Sequence, residues 1–353
     1  MSGIFRKILI IHPGGIGDLI MFSPVIKVLK DNFPKANIDI FAGYTPESAG
    51  VFEKSNIINE FFNVNFAKNT IFEKIKFIYQ LRRKKYDLSL LAADTNPFKG
   101  GIISFLIGAK IRVGGGKRGL FFTYTVSIDE KKHKTDASLD LLRAIGLNID
   151  FPAPIPFLDF YTEKKFVDYY LAENNLENKV LIGLRPNWDR HQKFKGFKRW
   201  PKEYFVELGS RILRDFQEAF ILLLGGPDEK EVCHEIKRQL GEDKRIKIAA
   251  GYSIRQEAAL IDKCKVFVSS DSGPTHAAST TKTNLIVIFG PTNYQITGPR
   301  GPKVHIIEEK CDNPYNINDR RFKRNDRFES CECLKKITPE RVFNKIKEIL
   351  QNG

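Results

Sequence analysis

Residues 10 to 20 read Ile10-Ile-His-Pro-Gly-Gly-Ile-Gly-Asp-Leu-Ile20, in which an apolar strand passes through three glycines into the start of a helix. Glycine lets the backbone turn tightly and approach a ligand closely. This order of strand, turn and helix is typical of parallel α/β sheets, where ligands bind beyond the carboxyl ends of the strands. The stretch therefore predicts an α/β domain with a site at its first turn.

Short apolar runs recur along the rest of the chain, with amphipathic segments between them. They predict buried parallel strands at residues 7–12, 38–42, 86–92, 111–113, 180–184, 219–224, 246–249, 266–270 and 285–289. A chain of 353 residues is too long for one typical core and suits two. We therefore predict two Rossmann-like, doubly wound α/β domains that face a central cleft.

The predicted domain boundary follows the proline-rich segment 151–157. We assign residues 1–165 to an N-terminal domain and residues 166–335 to a C-terminal domain. Residues 336–353 form a closing helix, which we expect to pack back toward the N-terminal domain.

The charge of the chain favours an anionic partner. It has 57 basic and 42 acidic residues, a formal net charge of +15. The basic residues cluster at 82–85, 131–134, 193–199 and 320–327. No apolar run approaches the roughly 18 residues that would span a bilayer, and the first residues do not resemble a signal peptide. The sequence therefore predicts a cytoplasmic protein.

The first glycine-rich turn departs from the dinucleotide fingerprint. Ile20 stands where the third glycine belongs, and no acid closes the next strand. Asp18 falls instead in the first turn of the helix, where the helix dipole favours any acid. Because it directly follows the glycines at a strand end, we interpret Asp18 as functional.

A second strand-turn-helix unit reads Val268-Ser-Ser-Asp-Ser-Gly-Pro-Thr-His276. Pro274 suits a first helical position, Gly273 permits close approach, and the next two amides are expected to point outward. This arrangement predicts a diphosphate site at the helix start. Asp271 cannot bind phosphate directly, so it orders the turn or meets a sugar hydroxyl, and His276 is equally compatible with a half-buried structural histidine.

Two further loops follow strands at the same sheet end. Lys198 precedes Trp200-Pro201 and suits a phosphate contact, whereas Asp228 or Glu229 in the Gly-Gly-Pro turn suits a helix cap or a ribose. The three late cysteines, Cys311, Cys331 and Cys333, are one ligand short of a structural zinc set, so we predict no metal site. Neither a Gly-x-Ser-x-Gly elbow nor a Walker loop is present, which disfavours hydrolase and NTPase activities.

The order of five motifs resembles the bacterial ADP-heptose:lipopolysaccharide heptosyltransferases, glycosyltransferase family 9. The motifs are HPGGIGDLIMFSPVIKVLKDNFP, GLRP with KRWPKEYFVELGSRI, LLLGGPDEKE, VFVSSDSGPTHAAS and IVIFGPTNYQITGPRG. The resemblance covers nearly the whole chain and implies the GT-B fold, with an N-terminal acceptor-binding domain and a C-terminal nucleotide-sugar-binding domain.

The resemblance also implies roles for individual residues. Asp18 corresponds to the general base of an inverting sugar transfer. The implied donor-binding residues are Lys198, Asp271, Ser272, Gly273, Thr275, His276 and Glu229, the last toward the ribose. The implied acceptor-side turn is His12, Gly14, Gly15 and Gly17, although many relatives carry Arg where this chain has His12. The resemblance implies no required metal or cofactor.

The function implied is transfer of a heptose from ADP-heptose to a lipid-anchored, anionic lipopolysaccharide core at the inner face of the cytoplasmic membrane. The basic clusters suit peripheral contact with that surface. Another nucleotide sugar, or a protein acceptor, remains an alternative. A non-catalytic nucleic-acid binder is disfavoured, because most of the 28 phenylalanines occupy periodic apolar positions instead of alternating with basic residues.

Overall fold

The computed structural model describes residues 5–42, 46–64, 66, 68–116, 121–149, 155–186, 198–311 and 331–352. It divides into two compact units, Met1–Asp159 and Phe160–Gly353, so the division falls slightly before residue 165, where the sequence placed it. The basic residues 193–197 and 320–327 lie outside the described residues.

The first unit is one parallel sheet with helices between its strands. Its strands are β1 (Lys7–His12), β2 (Asn37–Ala42), β3 (Glu60–Asn63), β4 (Leu88–Leu91), β5 (Ile111–Gly115) and β6 (Tyr124–Val126). Its helices are α1 (Ile16–Asn32), α2 (Pro46–Ala49), α3 (Ile71–Arg83), α4 (Pro97–Ile107) and α5 (Lys134–Arg143). The strand order is β3-β2-β1-β4-β5-β6. From β1, the next strands are added on one side of the sheet, and from β4 they are added on the other side. The strand order therefore reverses between β1 and β4, where such sheets bind ligands.

The second unit repeats this architecture. Its strands are β7 (Val180–Arg185), β8 (Ala219–Gly225), β9 (Ile246–Ala250), β10 (Val266–Ser270), β11 (Asn284–Phe289) and β12 (Val304–Glu308). Its helices are α6 (Lys164–Glu173), α7 (Lys202–Asp215), α8 (Lys230–Gln239), α9 (Ile254–Ile261), α10 (Gly273–Ala278), α11 (Tyr294–Thr297), α12 (Glu332–Lys335) and α13 (Pro339–Asn352), with 3-10 turns at Tyr161–Glu163 and Pro227–Glu229. The order is β12-β11-β10-β7-β8-β9, so the reversal lies between β7 and β10.

All nine predicted strands are present, and the doubly wound α/β class is confirmed for each unit. The sequence missed β3, β6 and β12. All three are edge strands that are short or only partly buried, so they lack the continuous apolar run that marks a strand covered on both faces. Continuous apolar runs therefore identified every interior strand and one edge strand, β9, and missed the other edge strands.

The closing helix α13 packs against α7 of its own unit. Val342, Phe343 and Ile346 form its buried stripe, and Thr338 Oγ1 accepts a hydrogen bond from the backbone N–H of Arg341 as its cap. The expected packing toward the N-terminal domain stays a prediction. Among the described helices, none is long and apolar enough to cross a membrane.

Candidate active site

The glycine-rich turn after β1 has a backbone that only glycine adopts without strain. Gly14 and Gly15 have φ angles of 96° and 94°. A side chain at Gly15 would place its Cβ only 2.7 Å from Asp18 Oδ2. Gly15 therefore makes room for the Asp18 carboxylate, which folds back over the turn from the third helical position of α1.

Asp18 belongs to a cluster of three charged groups at the reversal point of the first sheet. Lys134 Nζ lies 3.0 Å from Asp18 Oδ1 and 3.7 Å from Asp94 Oδ2. Asp94 closely follows β4, and Lys134 is the first residue of α5. Burial alone would lower the pKa of Lys134, but the two carboxylates outweigh it and raise that pKa, so Lys134 is charged at neutral pH.

Packing between two helices brings Lys134 to Asp18. Thr135 Oγ1, beside Lys134, is buried and donates to the backbone oxygen of Met21 in α1 at 2.9 Å. His133 caps α5 through its Nδ1, which accepts from the N–H of Thr135. The sequence analysis missed both Lys134 and Asp94 as site residues. The available signal was the position of Asp94 just after a predicted strand.

His12 holds the turn from inside the unit. Its ring is buried and packs edge-on against Phe22, with ring centroids 5.1 Å apart. Its Nδ1 accepts from the N–H of Gly14 at 3.1 Å. Burial lowers the pKa of His12, although the nearby carboxylates of Asp94 and Asp18 oppose this. A neutral imidazole here orders the backbone on which Asp18 depends.

The second sheet carries another charged group at its own reversal point. Lys198 Nζ contacts Asp271 Oδ2 at 2.5 Å, and Thr292 Oγ1 donates to the same oxygen at 2.7 Å. Burial alone would raise the pKa of Asp271, but Lys198, His276 and Thr292 together lower it. Two residues predicted for donor binding, Lys198 and Asp271, are therefore brought together.

The turn after β10 is held by a buried hydroxyl. Thr275 Oγ1 donates to the backbone oxygen of Ser270 at 2.6 Å and contacts Ser272 Oγ at 2.8 Å. The N–H of Thr275 donates to the carbonyl oxygen of Ser272 at 3.2 Å, so it is not the outward-pointing amide that the sequence predicted. The short first turn of α10 uses that N–H internally. His276 is buried beside Asp271.

Glu229, predicted to face a ribose, lies in a buried ionic group. Its Oε2 contacts Arg185 Nη2 at 2.5 Å and accepts from the N–H of Gly226 at 2.7 Å. Arg185 also pairs with Glu257 through Nη1. Burial would lower the pKa of Arg185, but the two carboxylates outweigh it and raise that pKa. The structure thus gives Glu229 a structural partner that the sequence did not reveal, whereas Asp228 is exposed.

One group in the described part of the chain has the composition of a metal site. The sulfur atoms of Cys311, Cys331 and Cys333 all lie within 4.8 Å of one another. No metal site was predicted from these cysteines, because they are one ligand short of a structural zinc set and their spacing differs from that of the common sets.

A sequence model of glycosyltransferase family 9 (heptosyltransferase) matches residues 74–326. Lipooligosaccharide heptosyltransferase 2 of Campylobacter jejuni is 26% identical over 355 residues, with 98% of this chain and 99% of that protein covered. These two similarities concern sequence and extend beyond any single motif.

Solved structures show the same fold. The structure of the Escherichia coli ADP-heptose lipopolysaccharide heptosyltransferase II has a TM-score of 0.77 at 23% identity, covering 98% of this chain and 99% of that one. The E. coli heptosyltransferase WaaC, solved with ADP, has a TM-score of 0.70 at 17% identity, covering 98% and 100%. These neighbours share the GT-B architecture that the sequence predicted.

Proposed function

Because this chain belongs to glycosyltransferase family 9, the heptosyltransferase family, we propose that it moves a heptose from ADP-heptose to the inner core of lipopolysaccharide with inversion at the anomeric carbon. The chain is a glycosyl-transferring enzyme. The proposed donor, acceptor and inversion are supported by one observation: Asp18 and the Lys198–Asp271 pair lie at the reversal points of the two sheets.

On the acceptor side, Asp18 acts as general base. The acceptor hydroxyl oxygen bonds to the anomeric carbon, while its proton passes to the Asp18 carboxylate. Lys134 then retains a partner, because Asp94 lies on its other side. The cluster therefore stays close to charge balance when Asp18 is neutralised. Lys134 is a positioning residue in this scheme, since it holds the carboxylate over the glycine turn.

On the donor side, Lys198 stabilises the leaving group. The bond between the anomeric carbon and the diphosphate oxygen breaks, and its electron pair leaves with ADP. Lys198 would turn from Asp271 toward the developing negative charge. Asp271, still held by Thr292, would accept a hydrogen bond from a sugar hydroxyl. The turn residues Ser272, Gly273, Thr275 and His276 border this point.

We propose that transfer needs no metal ion or cofactor, because Lys198 already supplies positive charge at the leaving group. The donor assignment draws on a fold relative that was solved with ADP. Glu229 stays a candidate for the ribose through its second carboxylate oxygen, with Oε2 committed to Arg185 and to the Gly226 amide.

Donor binding tests the proposal directly. Thermal unfolding should shift upward with ADP and ADP-heptose and much less with UDP- or GDP-linked sugars. Lys198→Met should weaken ADP-heptose binding by about 10- to 100-fold, because a hydrogen bond to a charged group is lost. The affinities would be measured by calorimetry.

Lys202→Met is the matched control, because it removes a neighbouring lysine that pairs with Glu235 at 2.5 Å. This variant should bind ADP-heptose like the parent. Equal affinity in Lys198→Met, or preferential stabilisation by a uridine or guanosine sugar, would contradict the donor site.

The acceptor is proposed to be lipid-anchored, and one surface of the first unit suits a membrane. We call it the α3–α4 surface. Its exposed apolar side chains are Ile71, Phe72, Ile75 and Tyr79 of α3 and Phe98, Phe105 and Leu106 of α4. Lys76, Arg82 and Arg83 lie exposed on α3 among them. Apolar groups flanked by cations are what an anionic bilayer surface binds.

Vesicle sedimentation tests the α3–α4 surface. The protein should bind vesicles containing phosphatidylglycerol at low salt, and binding should weaken as salt rises. Phe72→Ser with Ile75→Ser should reduce binding by about 10-fold or more, because two side chains that are 75% and 59% exposed no longer enter the interface.

The control for this surface lies in the other unit. Tyr161→Ser with Tyr169→Ser removes two side chains that are 73% and 66% exposed. It should leave vesicle binding unchanged. Two results would rule out the α3–α4 surface as the membrane contact. One is loss of vesicle binding in both double variants, and the other is failure of the parent protein to bind vesicles at low salt.

A further inference from the structure

Three cysteines converge at one edge of the second unit. Cys331 Sγ lies 3.3 Å from Cys311 Sγ and 3.0 Å from Cys333 Sγ. Cys311 comes three residues after β12, Cys331 precedes α12, and Cys333 lies within that helix. Twenty residues separate Cys311 from Cys331 along the chain, so the fold and not the local sequence makes the group.

The three cysteines are at least partly shielded from solvent, which favours binding of a metal ion by their sulfur atoms. Cys333 is 4% exposed, and the other two sulfur-bearing residues are half-buried against the same apolar core. Three sulfurs around one zinc ion, with bonds of about 2.3 Å in a tetrahedral arrangement, would lie about 3.8 Å apart. The observed spread, from 3.0 Å to at most 4.8 Å, brackets that separation. Among the described residues, the two remaining cysteines, Cys233 and Cys264, do not join the group.

We propose that Cys311, Cys331 and Cys333 bind one zinc ion as thiolates and that this ion has a structural role. Thiolate sulfur is a soft ligand, and zinc accepts it without redox chemistry. Three thiolates leave one position of a tetrahedral ion for a further ligand. On binding, each thiol gives up its proton to solvent and forms one sulfur–metal bond, so the site needs no oxidant.

The position of α12 explains what the ion would stabilise. A Cβ on Gly290, just after β11, would lie 2.7 Å from Leu334 Cγ and 2.9 Å from Cys333 Sγ. The loop after β11 therefore rests directly on α12. Two residues further along, Thr292 donates to Asp271. Fixing α12 thus fixes the loop that supports Asp271.

The other end of the helix is tied to the Lys198 segment. Trp200 Nε1 donates to the backbone oxygen of Ile337 at 2.7 Å, and Tyr204 Oη donates to that of Lys335 at 3.1 Å. Trp200 is fully buried. The thiolate site would therefore brace both segments that carry the Lys198–Asp271 pair, without itself touching the donor.

Metal analysis of the full-length protein tests the site. Protein purified under reducing conditions without chelator should contain about one zinc ion per chain, measured by inductively coupled plasma mass spectrometry. Cys311→Ser and Cys331→Ser should each lose most of that zinc. Cys264→Ser is the control, because Cys264 is buried away from the group and its sulfur hydrogen-bonds to the backbone of Leu260 and Gly183, so this variant should retain the metal.

A second measurement covers variants that fail to fold. The parent protein would be stripped with a chelator and titrated with Co²⁺, which should give sulfur-to-cobalt charge-transfer absorption and the visible bands of a tetrahedral ion. Thermal stability should fall on stripping and recover with Zn²⁺ but not with Mg²⁺.

The site is overturned if reduced, folded protein holds no zinc and five thiols titrate, or if another metal occupies it. A parent mass lower by two hydrogens, showing a disulfide within the group, would also overturn it. These readouts involve neither donor nor acceptor, so they fail or succeed independently of the proposed sugar transfer.

Discussion

Asp18→Asn should lower kcat by about 100-fold or more, because the amide cannot accept the proton of the attacking hydroxyl. Affinity for ADP-heptose should change little, since the donor contacts are assigned to other residues. The amide has nearly the shape of the carboxylate, so it fits above Gly15 in the space that the turn provides. The measurement is steady-state release of ADP with a lipopolysaccharide-core acceptor.

Asp94→Asn is the matched control for Asp18→Asn. Both carboxylates face Lys134, but only Asp18 stands on the glycine-rich turn. Asp94→Asn should retain activity within about 10-fold, because it removes the second carboxylate beside Lys134 without removing the base. If Asp94→Asn loses the activity and Asp18→Asn keeps it, the base is Asp94 and the present assignment is wrong.

Arg185→Met should strongly destabilise the second unit, at a cost of about 3–5 kcal/mol. Methionine fills much of the same volume but leaves Glu229 and Glu257 buried without their cation. Both carboxylates are at most 6% exposed in their side chains, so water cannot replace the guanidinium. The measurement is the midpoint of urea unfolding of that unit.

The loss of stability caused by Arg185→Met should depend on pH. Burial already raises the pKa of Glu257 in the parent protein, despite Arg185. Without Arg185 the folded state favours the protonated acid still more. The variant's loss of unfolding free energy is therefore largest above the raised pKa of Glu257 in the folded variant. It shrinks as pH falls toward the ordinary pKa of a glutamic acid, because the buried acid is then protonated. Unfolding at pH 7.5 and at pH 5.5 should show this narrowing.

Arg211→Met is the control for a surface pair. Arg211 contacts Glu207 one helical turn away at 2.8 Å, and both side chains are partly exposed. Its loss should cost about 0.5 kcal/mol or less. A similar small cost for Arg185→Met, or a deficit that does not narrow at lower pH, would contradict the buried ionic group.

Local patterns in the sequence were sufficient to predict the architecture of each unit and the family of the chain. Continuous apolar runs marked every interior strand of the two sheets and the edge strand β9, because a strand covered on both faces buries every side chain. The family match over residues 74–326 confirms the resemblance that five motifs carried. Asp18 could be proposed from local sequence alone, since its glycines, strand and helix are neighbours in the chain, and its role as base stays a prediction.

What only the tertiary structure decided is which distant residues meet. Asp18 and Lys134 are 116 residues apart, and Lys198 and Asp271 are 73 apart. Arg185 reaches Glu229 and Glu257 across 44 and 72 residues. Periodicity cannot encode such pairs, because they depend on strand order and helix packing. The sequence by itself therefore determined two doubly wound units and the glycosyltransferase family to which the chain belongs. The partners of each charge, and the convergence of the three thiols, arose only from strand order and helix packing within each unit.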